Sequence, residues 1–362
     1  MKRFILFGTM GLVMILLVAC SPAPTTSPEP APFVLSEYGS YYMGTRKLSL
    51  HDANRDDRYV GVTVWYPAIQ LANLTRRSPV PDADPDISSA PYPLILSSTK
   101  VARIFAPYLV SHGFVWASAD GIDSYPHMNE QMVDQPLDIL FTLDQVASRP
   151  PEGLESMIDA NNTGVIGYSF DGYNTLALSG ARIDPEYYLA QCPNADATTE
   201  PLIHFRSGLS AFDCAPSLAW DEFTAHAGEA ITASEDGMWQ PMTDERIRAV
   251  MPLAGEGWWL FGERGLAAVN KPVLIIVATE DELYPENTVI FEHLGASDKA
   301  LISFVGLTHM MVYDNKAVAR MAHFAVAFFG THLQGRQDLA SYFSEEFVAQ
   351  HDDLAWGVYQ GK

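Results

Sequence analysis

Positive charge is scarce in this chain. Across 362 residues, 22 Lys and Arg stand against 44 Asp and Glu, a formal net charge of −22. A surface so acidic is repelled by phosphate backbones, which argues against nucleic acid as a partner and reads plainly as a solubilising surface. Cysteine is scarcer still, with three residues. None lies in a Cys/His cluster with metal-ligand spacing, so no zinc or other metal site is expected. Internal repeats and long low-complexity tracts are missing as well.

A short cationic pattern opens the chain. Lys2 and Arg3 precede a short apolar stretch, Phe4 to Val18, which runs into Leu17-Val18-Ala19-Cys20. A short apolar core that ends in small residues reads as a secretory signal and not as a membrane span. A cysteine placed directly after it resembles the lipobox of bacterial lipoproteins. That resemblance implies a signal peptide over residues 1–19 and a lipidated Cys20 as membrane anchor in the cell envelope. Residues 20–36, rich in Pro, Ser and Thr, would then be a flexible tether. An ordinary signal peptide with an incidental cysteine is the alternative. Export would leave Cys192 and Cys214 in an oxidising compartment, where a thiol pair is commonly a disulfide, with two free buried thiols as the other reading.

Hydrophobic residues make up 48% of the chain, enough for one large domain. Apolar runs with strand character recur at Tyr41–Ser49, Tyr59–Tyr66, Leu94–Leu96, Phe114–Ala119, Ile247–Leu253, Val273–Val277 and Leu301–Val305. Helical spacing occurs at Ile104–Ser111, Pro136–Val146, Glu286–Leu294 and Ala317–Phe329. The alternation predicts an α/β fold, a mostly parallel sheet with helices on both faces and functional residues at the C-terminal strand ends. The domain is expected over 37–335. Residues 182–245 break the alternation as a cap-like insertion, and 336–362 follow as a C-terminal helical tail.

The sharpest local signal is Gly164-Val-Ile-Gly-Tyr-Ser169-Phe-Asp-Gly172, an apolar strand that stops at a small-residue turn before a helical stretch. A serine at such a corner is exposed at the tip of a tight turn, with the Phe170 N–H behind it where an oxyanion would form. A serine hydroxyl needs a base, and the base needs a carboxylate to fix its tautomer. Two later strand ends supply them: Ala278-Thr-Glu-Asp281 and Gly306-Leu-Thr-His309. Asp281 is the expected acid, with Glu280 as its competitor, and His309 is the expected base.

With these motifs in view, the chain resembles the dienelactone-hydrolase-like and platelet-activating-factor-acetylhydrolase-like branch of the α/β-hydrolases, which includes polyester hydrolases. The matching stretches are Val62-Thr-Val-Trp-Tyr-Pro-Ala68, Ser111-His-Gly-Phe114, Gln135-Pro-Leu-Asp138, the serine turn, Pro272–Pro285 and Gly306–His309. The resemblance implies a cofactor-free serine ester hydrolase acting on a small-molecule or lipid-like ester, with Ser169, Asp281 and His309 as its triad. A peptidase or acyltransferase on the same triad, or a catalytically weak surface binding protein, are the alternatives. Two departures stand out. Ser97-Ser-Thr-Lys100-Val101 replaces the family's glycine-rich first loop, so a second oxyanion donor would be a backbone N–H near Lys100 or Val101. Asp171 stands where a glycine is usual, read either as a first-turn carboxylate favoured by the helix dipole or as a contact to a polar end of the substrate. Trp258, Trp259 and Met310 are the expected substrate-binding side chains. The insertion aromatics Tyr187, Tyr188, Phe205, Phe212, Trp220 and Trp239 could line an acyl pocket or form plain core.

Overall fold

Strands that are apolar on both faces need cover on both sides, and this chain has several. Tyr92–Ser98 (β4), Val115–Ala119 (β5) and Val273–Ala278 (β8) are buried at every position. So is the second half of Ile158–Tyr168 (β6). Such continuous runs are what a parallel sheet between two helical layers requires. The computed structural model describes residues 29–70, 78–120, 128–192 and 214–361, and its compact unit begins at Ala31. Cys20 and the expected signal peptide lie outside the described residues, as do Phe205 and Phe212.

The fold is α/β. Among the described residues, ten strands form one sheet in the order β10-β9-β8-β7-β6-β4-β5-β2-β1-β3. Here β1 is Tyr42–Asp52, β2 Arg58–Ala68, β3 Val80–Pro81, β7 Ile247–Leu253, β9 Lys299–Phe304 and β10 Leu354–Trp356. The run from β9 to β5 is parallel throughout. The β1–β2 hairpin joins β5 antiparallel. Helices α1 (Thr99–Ser111), α2 (Met128–Ser148) and α3 (Phe170–Leu178) connect the first parallel strands. In the insertion lie α4 (Pro185–Gln191), α5 (Ala215–Leu218), α6 (Trp220–Ala227) and α7 (Glu229–Thr232). Then come α8 (Trp258–Ala267), α9 (Tyr284–His293), α10 (Asn315–Leu333) and α11 (Glu345–Val348). α10 is capped by Asp314, whose carboxylate accepts the Ala317 N–H at 2.8 Å, and it buries Phe324, Phe328 and Phe329.

Two expected boundaries move. The tether does not extend to residue 36: the Phe33 ring packs edge-on against His323, Phe324 and Phe347, and the Leu35 N–H donates to His323 Nδ1 at 3.1 Å. The Ala31 N–H adds to this anchor by donating to Gln350 Oε1 at 3.0 Å. Residues 336–362 are not only helical. After α11 the chain returns to the sheet as β10, antiparallel to β9, with Leu339, Phe347, Val348 and Leu354 buried.

The insertion's aromatic residues join the main core. Trp220 packs against Tyr188, Phe223 and Trp239, with ring centroids 5.5, 5.6 and 5.7 Å apart. Cys192 and Cys214 are joined by a disulfide, with Cα atoms 5.5 Å apart, so the end of α4 is tied to the start of α5. Arg182 closes the base, with its guanidinium on the Asp236 carboxylate and on the Trp239 carbonyl. Tyr188 and Trp239 are therefore core residues, and Trp220 packs against them.

Candidate active site

Ser169 sits between the last residue of β6 and the first of α3, with φ 61° and ψ −123°. An L-residue there stores roughly 1–3 kcal/mol of strain, so its surroundings must impose it. They do. The Ser169 N–H donates to the Leu253 carbonyl at the end of β7 at 2.9 Å, and the Gly172 N–H donates to the Ser169 carbonyl at 2.7 Å. The turn also needs close backbone approach. A Cβ at Gly167 would lie 2.0 Å from the Asp171 carbonyl oxygen, and one at Gly172 would lie 2.4 Å from the Gly255 Cα. Glycine is thus required at 167 and 172, which leaves position 171 free for a side chain.

Asp171 uses that freedom inward. It is buried, and its carboxylate accepts the Ser98 hydroxyl and lies 3.4 Å from Asn174 Nδ2. Asp171 lies in the first turn of α3, as the helix-dipole reading expects, with its side chain turned inward and not to solvent. Ser98 ends β4 and caps α1, and its Oγ also receives the Lys100 N–H at 3.4 Å. Asp171 therefore ties the serine turn to the N-terminus of α1. The chain passes from β4 into α1 with no loop, which places the first-turn N–H groups of α1, including Val101's, at the β4 strand end. Phe170 opens α3, so its N–H is likewise in a first turn beside Ser169. The Lys100 N–H is committed to the cap.

The histidine arrives from the far strand. His309 follows β9, and its Nε2 lies 3.1 Å from Ser169 Oγ. Its Nδ1 lies 2.9 Å from Asp281 Oδ2, and the other oxygen of Asp281 accepts the Leu283 N–H at 2.8 Å. With the proton on Nδ1, Nε2 is the acceptor that faces the hydroxyl. Asp281 is buried, whereas Glu280 is exposed, so the two neighbours are separated by where the strand end points them. The two loops hold each other: the Glu280 N–H donates to the Leu307 carbonyl at 2.8 Å and the Gly306 N–H to Thr279 Oγ1 at 2.9 Å. Tyr168 braces the ring. It stacks on His309 at 4.9 Å between centroids, and its hydroxyl donates to the His309 carbonyl. Lys100 Nζ stands 5.5 Å from the Tyr168 ring centre.

Among the expected substrate-binding residues, Met310 is 58% exposed beside His309. Trp258 is half-buried, edge-on to Tyr187 at 5.6 Å. Trp259 is not on the surface. It is buried toward Tyr188 of α4, at 5.9 Å, because adjacent residues of a helix point about 100° apart and only one can face outward.

Sequence reasoning missed one side chain that touches Ser169. Glu256, just past β7, is buried, and its Oε1 lies 3.4 Å from Ser169 Oγ. The segment that carries it is pinned from α9. Glu286 Oε1 accepts the Gly257 and Trp258 N–H groups at 2.8 and 3.1 Å. Asn287 accepts the Gly255 N–H at 3.1 Å and donates to the Gly255 carbonyl at 2.8 Å. The available sequence signal was Gly255-Glu256-Gly257, an acid between glycines at a strand end. No group of three or more His, Cys, Asp or Glu side chains suited to a metal occurs among the described residues. No protein-family model matches the chain, and no curated protein matches it.

Proposed function

We propose that the chain is a serine carboxylic-ester hydrolase of the α/β-hydrolase kind. The observation that carries this reading is the connected Ser169–His309–Asp281 chain, with contacts of 3.1 and 2.9 Å, at a strained strand-to-helix corner. In this reading His309 Nε2 takes the Ser169 proton as Oγ attacks the ester carbonyl carbon. The imidazolium formed is stabilised by Asp281, and Tyr168 keeps the ring in place. Negative charge gathers on the former carbonyl oxygen, where the Phe170 N–H and a first-turn N–H of α1 such as Val101's would receive it. His309 then returns its proton to the departing alkoxide, which leaves an acyl-enzyme on Ser169. A water molecule, deprotonated by His309, attacks the acyl carbon and releases the acid.

The proposal extends to location. Residues 1–19 would be removed and Cys20 lipidated, which holds the enzyme at a membrane. The Cys192–Cys214 disulfide suits an oxidising compartment. No helix among the described residues is long and apolar enough to cross a membrane. A fluorophosphonate probe tests the enzymatic reading: labelling at Ser169 that disappears in Ser169→Ala, with loss of p-nitrophenyl ester hydrolysis, is the expected result. Hydrolysis within a few-fold of wild type in Ser169→Ala would overturn it. For the anchor, a lipid mass on the peptide beginning at Cys20 is expected, and its absence would overturn that part alone.

A further inference from the structure

Two elements meet at the serine corner, and what lies between them further on has no part in the triad chemistry. His309 opens a short 3-10 helix, His309–Tyr313, that leads into α10. The N-terminus of α1 is tied to the serine turn through Ser98 and Asp171, and α1 packs beside α10. Downstream of the corner these elements enclose a cavity of about 500 Å³. Ile104, Pro107 and Tyr108 of α1 line one wall, and Val312, Tyr313 and Val318 line the other. Tyr38 stacks on Tyr108 at 4.8 Å and borders the same cavity. Arg103 and Asn315 are the polar residues of the lining. A concave, mostly apolar cavity of this size suits a small molecule or one part of it.

The apolar lining continues toward Ser169. Met310 and Tyr313 are 58% and 72% exposed, and they stand on the same short helix as His309. Large apolar side chains left in water mark a contact surface when they run on into an apolar cavity. Ester cleavage assigns that surface to one arm of the substrate. The carbonyl oxygen turns to the backbone N–H groups of Phe170 and α1. The leaving oxygen must lie within reach of His309 Nε2, which returns the proton to it. The alcohol arm therefore departs on the His309 side, over Met310 and toward the cavity, and the acyl arm extends away from it. From His309 to Tyr313 the helix advances about 8 Å at the 3-10 rise. About six bonds of 1.5 Å cover that distance, so an alcohol of about two to four carbons stops short and one of about eight to ten enters.

We propose that this cavity is the subsite for the alcohol arm, and that the preferred substrates are esters of long-chain apolar alcohols. This inference rests on the ester-hydrolase reading, and the experiment separates the two. The acetates of ethanol, butanol, octanol and decanol are compared on the full exported protein, below the concentrations at which they aggregate, with acid release followed by pH-stat. Full burial of a methylene is worth about fourfold, and an open groove that covers one side about twofold. On that scale kcat/KM should rise about tenfold or more from butyl to decyl acetate and little from ethyl to butyl. Every member leaves the same acetyl-enzyme, so the gain should appear in KM and not in kcat. Ile104→Trp, which fills the cavity, should remove the rise and leave ethyl acetate nearly unchanged. Tyr313→Ser, which strips one wall, should reduce the rise severalfold. In p-nitrophenyl esters of increasing acyl length the alcohol arm is constant, and Ile104→Trp should leave their chain-length profile as it is in wild type.

A decyl-to-butyl ratio near one in wild type would overturn the proposal. So would a rise that survives both substitutions, or substitutions that slow all four acetates alike, because the cavity residues would then act through the fold. A loss confined to the acyl series would overturn the assignment to the alcohol arm. If Ile104→Trp does not fold, Tyr313→Ser, at an exposed position, decides alone. If no ester is turned over, the hydrolase reading fails. The cavity is then read by calorimetry, where 1-octanol is expected to bind wild type and to bind the cavity variant severalfold more weakly. Equal binding, or none, overturns it.

Discussion

Replacing Glu286 by alanine should damage the site from a distance. Its side chain lies in α9, and it supports the segment that follows β7. One oxygen, Oε1, accepts two backbone N–H groups, from Gly257 at 2.8 Å and Trp258 at 3.1 Å, and the residue is 2% exposed. Alanine removes the acceptor from both. A buried donor left without a partner costs about 1–3 kcal/mol, so two cost about 2–6 kcal/mol, with about 4 as the expected loss. Glutamine keeps an oxygen at the same reach and should cost about 1 kcal/mol, the difference between a charged and a neutral acceptor. A loss of about 4 kcal/mol leaves a domain of ordinary stability folded, so the variant can be assayed. Equilibrium urea unfolding followed by tryptophan fluorescence gives the stability, and p-nitrophenyl acetate hydrolysis gives the chemistry. Since Glu256 and Trp258 move with the freed segment, kcat/KM should fall by about tenfold to a hundredfold, the range expected for displacements near 1 Å. An alanine variant within about 1 kcal/mol of wild type, or a glutamine variant as damaged as alanine, would refute the reasoning.

Asp281→Asn should lower kcat by about 10,000-fold, since an amide can hold the wrong imidazole tautomer, while Glu280→Gln should leave it nearly unchanged; the reverse pattern in steady-state kinetics would place the acid one residue earlier. Replacing Cys192 and Cys214 by alanine should cost about 3 kcal/mol from the entropy of a loop 22 residues long, measured by urea unfolding, and an equally stable variant would argue against that account. His323 is buried and accepts the Leu35 N–H, and burial lowers its pKa from 6.5 to about 4. The folded state favours the neutral ring, so its contribution is complete above the unfolded pKa and is lost as pH falls from about 6.5 toward 4, by roughly 3 kcal/mol. A pH series of urea midpoints should show this decline, and His323→Gln should show a shallower one; identical slopes would exclude His323 as the source.

The parts of this site that could be read in the sequence are the parts written in contiguous residues. β4 and β8 announce themselves because nearly every position in them is apolar. The serine turn does so because Gly167 and Gly172 flank Ser169 at close backbone contacts. Asp281 and His309 follow recognisable strand ends. Glu256 was hard to read, because its one local signal, the flanking glycines, says nothing of its contact with Ser169, 87 residues earlier in sequence. Glu286 and Asn287 were hidden in the same way, since their partners lie 28 to 32 residues away and are backbone groups with no side-chain signature. Trp258 and Trp259 are alike in sequence until helix geometry sends one of them into the core. β10 hides within the C-terminal tail because three residues, Leu354–Trp356, are too few to show a strand period.

The order of strands also sets a clock. Ser169 and His309 are 140 residues apart in the chain, and the strand that carries His309 has its outer edge closed only by β10. At ribosomal rates of about 5–20 residues per second, about 7–28 s separate the appearance of the two groups. During that interval a growing chain holds a serine turn with no base to activate it. β7 and β8, which pin the turn and supply the acid, also come after it, so the strained corner itself lacks support until they dock. In the ester-hydrolase reading, a chain grown only past β6 therefore carries the serine turn without the groups that would activate it.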